Sequence, residues 1–294
     1  MSTLTIENLS KVYPNGVKAL DQVSLTIENG MFGLLGPNGA GKSSLMRTLA
    51  TLQEADSGTI NLDEIDILNQ PIEVRKVLGY LPQEFGVYPR ITAQQLLTHL
   101  AILKGITNKS ERKDLVTYLL DKVNLYDKRH TALKGFSGGM KQRIGIAQAL
   151  IGKPKLIIVD EPTAGLDPGE RNRFYNLLAD LGSEVIVILS THIVDDVREL
   201  CTQMAIMNHG QILYHGSPQH AINDLTGKIY QKLVGRNQLA SYAQDYQIIS
   251  NKMVGGQPLI HVLSETDPQD GFERAKPDLE DVFFSKINTA GTLV

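Results

Sequence analysis

Gly36-Pro37-Asn38-Gly39-Ala40-Gly41-Lys42-Ser43 fits the pattern G-x-x-x-x-G-K-[ST] at every fixed position. A short apolar run, Met31–Leu35, precedes it, and Leu45, Met46, Leu49 and Leu52 follow at helical spacing. A buried strand, a glycine-rich turn and a helix are therefore expected in that order. The order has a chemical purpose. Glycines let the backbone turn so tightly that successive N–H groups point inward at phosphate oxygens. The following helix adds the positive end of its dipole. Lys42 reaches the terminal phosphates as a point charge, and the Ser43 hydroxyl can ligate Mg²⁺.

Outward from this loop, the 294 residues amount to about two domains' worth of chain. Lys and Arg number 29 against 32 Asp and Glu, a net charge of −3. That balance speaks against a protein whose main task is to grip nucleic-acid backbone. The longest apolar runs, Leu156–Val159 and Val185–Leu189, fall far short of the ~20 residues of a membrane span. Residues 1–10 have neither the basic nor the apolar part of a signal peptide. The one cysteine, Cys201, can form no internal disulfide and is read as a core residue. A reducing, cytosolic setting is expected.

The first 30 residues or so alternate, as in Leu4-Thr5-Ile6-Glu7 and Val23-Ser24-Leu25-Thr26-Ile27, and predict antiparallel strands with one wet face. Residues 85–149 read mostly as helix, with one stripe of Leu96, Leu97, Leu100 and Leu103 and another of Leu115, Tyr118, Leu119 and Val123. Leu156–Val159 and Val185–Leu189 are continuous apolar runs of the kind buried on both faces of a parallel sheet, with 173–181 as the crossover helix. After about residue 216 the character changes. Strands are expected at 228–234, 247–249 and 259–263, then a helix from Leu279 to Phe284. This tail is either a small α+β extension or an arm draped on the main body.

The apolar strand Leu156–Val159 ends in two acids, Asp160 and Glu161. Ligands of open α/β sheets bind at the carboxyl ends of strands. There Asp160 can hold Mg²⁺ and Glu161 can polarise an attacking water. A solvated acidic turn is the plainer alternative, but a phosphate loop more than a hundred residues upstream supplies the other half of one site. His192-Ile193-Val194-Asp195-Asp196 has the look of a metal cluster, yet both aspartates suit the first turn of the next helix.

Phe136-Ser137-Gly138-Gly139-Met140-Lys141-Gln142-Arg143 settles the family resemblance. It resembles the L-S-G-G-Q signature of ATP-binding cassette (ABC) ATPases, with Phe136 for Leu and Met140 for Gln. Tyr13 stands where that family stacks adenine, and Gln83 matches the Q-loop glutamine. Ala164-Gly165-Leu166-Asp167 matches the D-loop, and His192 matches the switch histidine. The resemblance covers roughly residues 1–220. It implies an α/β, P-loop NTPase core of ABC type: a RecA-like sheet with an antiparallel β subdomain and a helical subdomain at about 85–150. Residues 221–294 form the C-terminal extension.

The resemblance further implies ATP and Mg²⁺ as ligands. Tyr13, Asn38, Gly39, Ala40, Gly41, Lys42, Ser43 and Ser44 would hold the nucleotide in one chain. Ser137, Gly138 and Gly139 would touch the γ-phosphate bound by a second, head-to-tail chain. Ser43, Gln83 and Asp160 would hold the metal; Glu161, His192, Gln83 and Lys42 would serve hydrolysis. One phosphate loop per chain implies a dimer, most simply a homodimer. Gly30–Leu35, Ser-Gly-Gly-Met-Lys-Gln-Arg and the tail Leu279-Glu280-Asp281-Val282-Phe283 resemble the ATPase subunits of type-2 exporters. The implied partner is a polytopic membrane permease, with this chain peripheral on the cytoplasmic face of the membrane. Its cytoplasmic helices would enter a groove near Gln83, lined by Phe85, Tyr88 and Pro89 with Leu96 and Leu100 behind. A mechanotransmitting cassette whose permease acts on envelope proteins without substrate transport, and a soluble ATP switch, stay open as alternatives.

Overall fold

Four consecutive residues of Leu156–Val159 and four of Ile186–Leu189 are almost fully buried, because each strand is covered on both faces. In the computed structural model, which describes residues 1–83, 86, 90–163, 166–182 and 184–289, these two strands lie side by side in parallel. The elements in chain order are β1 (Thr3–Val12), β2 (Lys18–Glu28), β3 (Gly30–Leu35), α1 (Lys42–Leu49), β4 (Ser57–Leu62), β5 (Ile65–Asp66), α2 (Pro71–Val77) and β6 (Leu78–Leu81). Next come α3 (Ala93–Leu103), α4 (Lys109–Lys122), α5 (Gly138–Ala149), β7 (Leu156–Asp160), α6 (Pro168–Ala179), β8 (Ile186–Thr191), α7 (Val194–Leu200), β9 (Gln203–Asn208) and β10 (Gln211–Gly216). The chain continues through α8 (Pro218–Asp224), β11 (Ile229–Leu233), α9 (Leu239–Asp245), β12 (Ile248–Val254), β13 (Gln257–Leu263), β14 (Glu273–Arg274) and α10 (Leu279–Thr289).

The central sheet has the order β10-β9-β3-β8-β7-β6. All its pairings are parallel except β10 with β9. Because side chains alternate across a strand, each strand feeds two cores. Met31, Leu35, Ile157, Val159, Val187, Leu189, Met204 and Ile206 face the core shared with the helices α3 to α7. Phe32, Leu34, Leu156, Ile158, Ile186, Ile188, Ala205 and Met207 face the core shared with α1 and the antiparallel sheet β2-β1-β4-β5. That second sheet is the one the alternating N-terminal pattern predicts. Asp63 and Glu64 form its β4–β5 turn.

The helical segment between β6 and β7 is present, and its expected stripes hold in part: Leu96, Leu97, Leu119 and Val123 are buried, while others are not. In α3, Ala93, Leu96, Leu97 and Ala101 are buried while Leu103 is exposed. In α4 the buried face is Val116, Leu119 and Leu120, and Tyr118 faces solvent. Thr92 and Gln95 cap α3 reciprocally, and the Asn108 side chain caps α4 by accepting from the Ser110 and Glu111 N–H groups. Leu52 lies beyond the end of α1 and is exposed.

The tail forms a third sheet, β12-β13-β11-β14, all antiparallel. It has a small core of its own around Tyr230, Val234, Ile260, Val262 and Phe272. Its last helix returns to the main body: Leu279, Val282, Phe283 and Ile287 of α10 are buried in the core of the central sheet. A buried pair ties this helix to the small sheet, with His261 Nδ1 2.7 Å from Asp281 Oδ1. The α+β character expected of the extension is present. No helix among the described residues is long and apolar enough to cross a membrane.

Candidate nucleotide-binding site

The loop after β3 turns at Gly41, whose φ of 107° lies in the left-handed region. A side chain there would collide with the Ala19 carbonyl oxygen, and one at Gly36 with that of Met207. The loop is thus wedged between two backbones, and α1 starts directly from it. Lys42, the first residue of α1, is only 5% exposed. Its ammonium donates to the carbonyls of Gly36 (2.7 Å) and Pro37 (3.1 Å) and lies 3.9 Å from Glu161 Oε1. Burial holds its pKa below the usual lysine range, opposed by the charges of Glu161 and Asp160.

Tyr13, Asn38, Gly39, Ala40, Gly41, Lys42, Ser43, Ser44, Gln83 and Glu161 together line one cleft of about 360 Å³. Ser43 is exposed to it. Ser44 is buried, and its hydroxyl is 3.0 Å from that of Tyr13, which also donates to Gln53 Oε1 at 2.8 Å. Tyr13 is therefore pinned to α1 from across the cleft, a bond that no sequence pattern announces.

At the carboxyl ends of β7 and β8 the two acids separate in role. Asp160 is 5% exposed, and its Oδ1 has no hydrogen-bond partner; the same holds for Ser190 Oγ on the neighbouring strand. Burial raises the Asp160 pKa. A buried carboxylate oxygen without a donor invites a cation. The Ser43 hydroxyl and the Gln83 amide oxygen would complete an all-oxygen set that suits Mg²⁺.

Glu161 takes the left-handed conformation, φ 46°, uncommon for a residue with a side chain. Its N–H donates to the Ser190 carbonyl at 2.9 Å, which fixes the turn. The carboxylate then meets three site residues: it accepts from Gln83 Nε2 at 3.0 Å, lies 3.1 Å from His192 Nδ1, and faces Lys42. His192 itself is 43% exposed, open to a reacting group. Three residues from three separate stretches of sequence thus converge on the carboxylate of a fourth.

Ser137, Gly138 and Gly139 are elsewhere. Ser137 caps α5 by accepting from the Met140 N–H at 3.2 Å. Ser137 and Gly138 are exposed, and none of the three lines the cleft. Gly139 is buried against the Glu170 side chain of α6, where an added Cβ would strike the carboxylate. Phe136 is a core residue and Met140 packs against that core. Of the D-loop, Ala164 and Gly165 lie outside the described residues; Asp167 caps α6 through the Glu170 N–H. Phe85, Tyr88 and Pro89 also lie outside them, and Leu96 belongs to the core.

Asp195 and Asp196 both stand in the first turn of α7, as the sequence suggests. What the sequence does not show is that Asp196 is fully buried and accepts hydroxyl bonds from Thr163, Thr191 and Tyr175. The Tyr175 hydroxyl is pushed up by burial and by Asp196. Asp195, by contrast, is exposed and paired with Arg198 at 2.9 Å. A signal existed in the threonines that flank Glu161 and His192, but it has meaning only once those strands are known to be neighbours.

The ABC transporter family matches residues 20–164. YxlF of Bacillus subtilis, an uncharacterized ABC transporter ATP-binding protein, is 38% identical over 238 residues, 79% of this chain and 78% of that one. YbhF of Escherichia coli, a probable multidrug ABC transporter ATP-binding protein, is 32% identical over 307 aligned positions. They cover 99% of this chain, which spans only 53% of YbhF. Among solved structures, the ATP-binding cassette MJ0796, dimeric and bound to ADP and Pi, superposes with a TM-score of 0.66 at 25% identity, covering 73% of this chain and 98% of that one. With the phosphate loop, the paired acids and His192 gathered at the carboxyl ends of the neighbouring strands β3, β7 and β8, the chain belongs to the ABC transporter family and is one of its ATP-hydrolysing cassettes.

Proposed function

We propose that two copies of this chain close head to tail on two Mg-ATP and drive a separate membrane permease, in the direction of export. The observation that carries the catalytic half is the meeting of Gln83, His192 and Lys42 at the Glu161 carboxylate. Lys42 and the loop amides hold the β- and γ-phosphates. Glu161 accepts a proton from the attacking water, and His192 steadies the γ-phosphate. Ser43, Asp160 and Gln83 would hold Mg²⁺, which would supply charge neutralisation at the phosphate oxygens. Ser137, Gly138 and Gly139 reach the γ-phosphate bound by the opposite chain. Residues 1–220 act as the cassette and 221–294 as its extension.

The dimeric state of MJ0796 supports the pairing, and the multidrug designation of YbhF supports export. A peripheral place on the cytoplasmic side of the membrane follows from the permease partner. A detergent pull-down of the chain from its native membranes tests this. A polytopic membrane protein recovered in equal amount is the expected result. A soluble partner alone would move the reading to an ATP switch.

A further inference from the structure

Asp196 lies outside the nucleotide cleft, yet its carboxylate bonds to the segments that carry both hydrolytic side chains. Its Oδ2 accepts from Thr163 Oγ1 at 2.6 Å and from Thr191 Oγ1 at 2.9 Å; its Oδ1 accepts from the Tyr175 hydroxyl. Asp196, Thr163 and Thr191 are each no more than 1% exposed. Thr163 stands two residues after Glu161. Thr191 stands immediately before His192 and also accepts from the Ile193 N–H at 2.9 Å, so the backbone on both sides of the histidine is fixed. Tyr175 belongs to α6, the helix that Asp167 starts. A buried carboxylate is costly unless donors surround it. Three hydroxyls supply them here, from three separate elements.

We propose that Asp196 is a positioning residue for hydrolysis: it locks the Glu161 turn and the His192 loop into one frame, so that the two side chains meet across 3.1 Å. This rests on the reading of Glu161 and His192 given above. Lys42, Ser43, Ser44 and Tyr13 share no hydrogen bond with Asp196 among the described residues, so the frame acts on turnover and not on nucleotide affinity.

The test is steady-state ATPase kinetics on the full chain. Asp196→Asn keeps the shape but turns an acceptor into a donor. It is expected to lower kcat about 10-fold or more, the scale of a small misplacement of reacting groups, with KM for ATP within about 2-fold. Since a buried substitution of this kind can impair folding, the same measurement is made on Thr191→Val and Thr191→Ser. The valine removes the hydroxyl at constant shape and is expected to lose kcat; the serine keeps the hydroxyl and is expected to recover most of it. Asp196→Asn combined with Thr191→Val is expected to be little worse than Asp196→Asn alone, because both break one frame. Wild-type kcat in Asp196→Asn, or equal losses in Thr191→Val and Thr191→Ser, overturns the proposal. Glu161→Gln, run alongside, separates the two readings. If it abolishes hydrolysis while Asp196→Asn does not, only the positioning role fails; if it leaves hydrolysis intact, both fail.

Discussion

Lys42 and Ser137 occupy the same kind of place, the start of a helix that follows a glycine-containing loop, and the two places are built in opposite ways. Lys42 is buried, bonded to two loop carbonyls and faced by Glu161. Ser137 is exposed, and its hydroxyl bonds to its own helix. A helix start that must hold phosphate within one chain is walled in, so that its charge works in a poorly solvated cleft. The helix start at Ser137 is left on the surface, with Ser137 and Gly138 exposed. The contrast matches the proposed pairing, in which the cleft is assembled within one chain and the Ser137 loop serves a second chain.

The largest expected effect falls on the walled-in half. Glu161→Gln keeps the bonds to Gln83 and His192 within reach but removes the base. It is expected to cut ATP turnover by about 100-fold or more while ATP binding persists, checked by phosphate release alongside nucleotide titration. Lys42→Ala takes away a charge-assisted phosphate contact, worth ~1.5–3 kcal/mol, and is expected to weaken ATP binding by roughly one to two orders of magnitude. Undiminished binding would make Lys42 a merely structural prop of the loop. Ser137→Arg sharpens the contrast from the other side. It is expected to abolish turnover in the dimer while the isolated chain binds ATP as before; a matching loss of binding to the isolated chain would place Ser137 in the same half-site as Lys42.

The smallest effect is one of stability. Burial raises the Asp160 pKa, so the folded chain takes up a proton there more readily than the unfolded chain. The ionised carboxylate therefore costs stability as pH rises through the folded-state value, and that cost is absent at low pH. Asp160→Asn is expected to raise the unfolding midpoint slightly at neutral pH, with the gain vanishing on acidification, while Mg²⁺-dependent turnover is lost. Thermal melts across a pH series check it.

The walled-in half was legible in the sequence because its parts are local. The loop motif sits between a five-residue apolar run and a helix, and Asp160-Glu161 closes another apolar run, so each piece carries its own address. The parallel strands were legible for the same reason: burial on both faces leaves an unbroken apolar word. The helical stripes were less so. Leu103 ends α3 and is exposed, and Tyr118 lies on the outer face of α4, so counting apolar residues at intervals of three and four overstates the buried face. α9 buries no residue and β10 only half-buries its central ones, and neither leaves a periodic trace. Asp196 was illegible because its partners lie 33, 21 and 5 residues away and are brought to it by the sheet. In the extension, the tail motif Leu279–Phe283 reads as an amphipathic helix, but that its apolar face belongs to the core of the central sheet is a fact of topology.

On the proposed pairing, a complete catalytic site needs both faces, one from each chain. The most direct test of this claim is the solution mass of the Glu161→Gln chain by analytical ultracentrifugation, with and without Mg-ATP, beside the same chain carrying Ser137→Arg as well. The expected result is a monomer without nucleotide, a dimer with it, and a chain with Ser137→Arg that binds ATP yet remains a monomer. A Glu161→Gln chain that binds ATP without dimerising, or a dimer indifferent to Ser137→Arg, would contradict the claim.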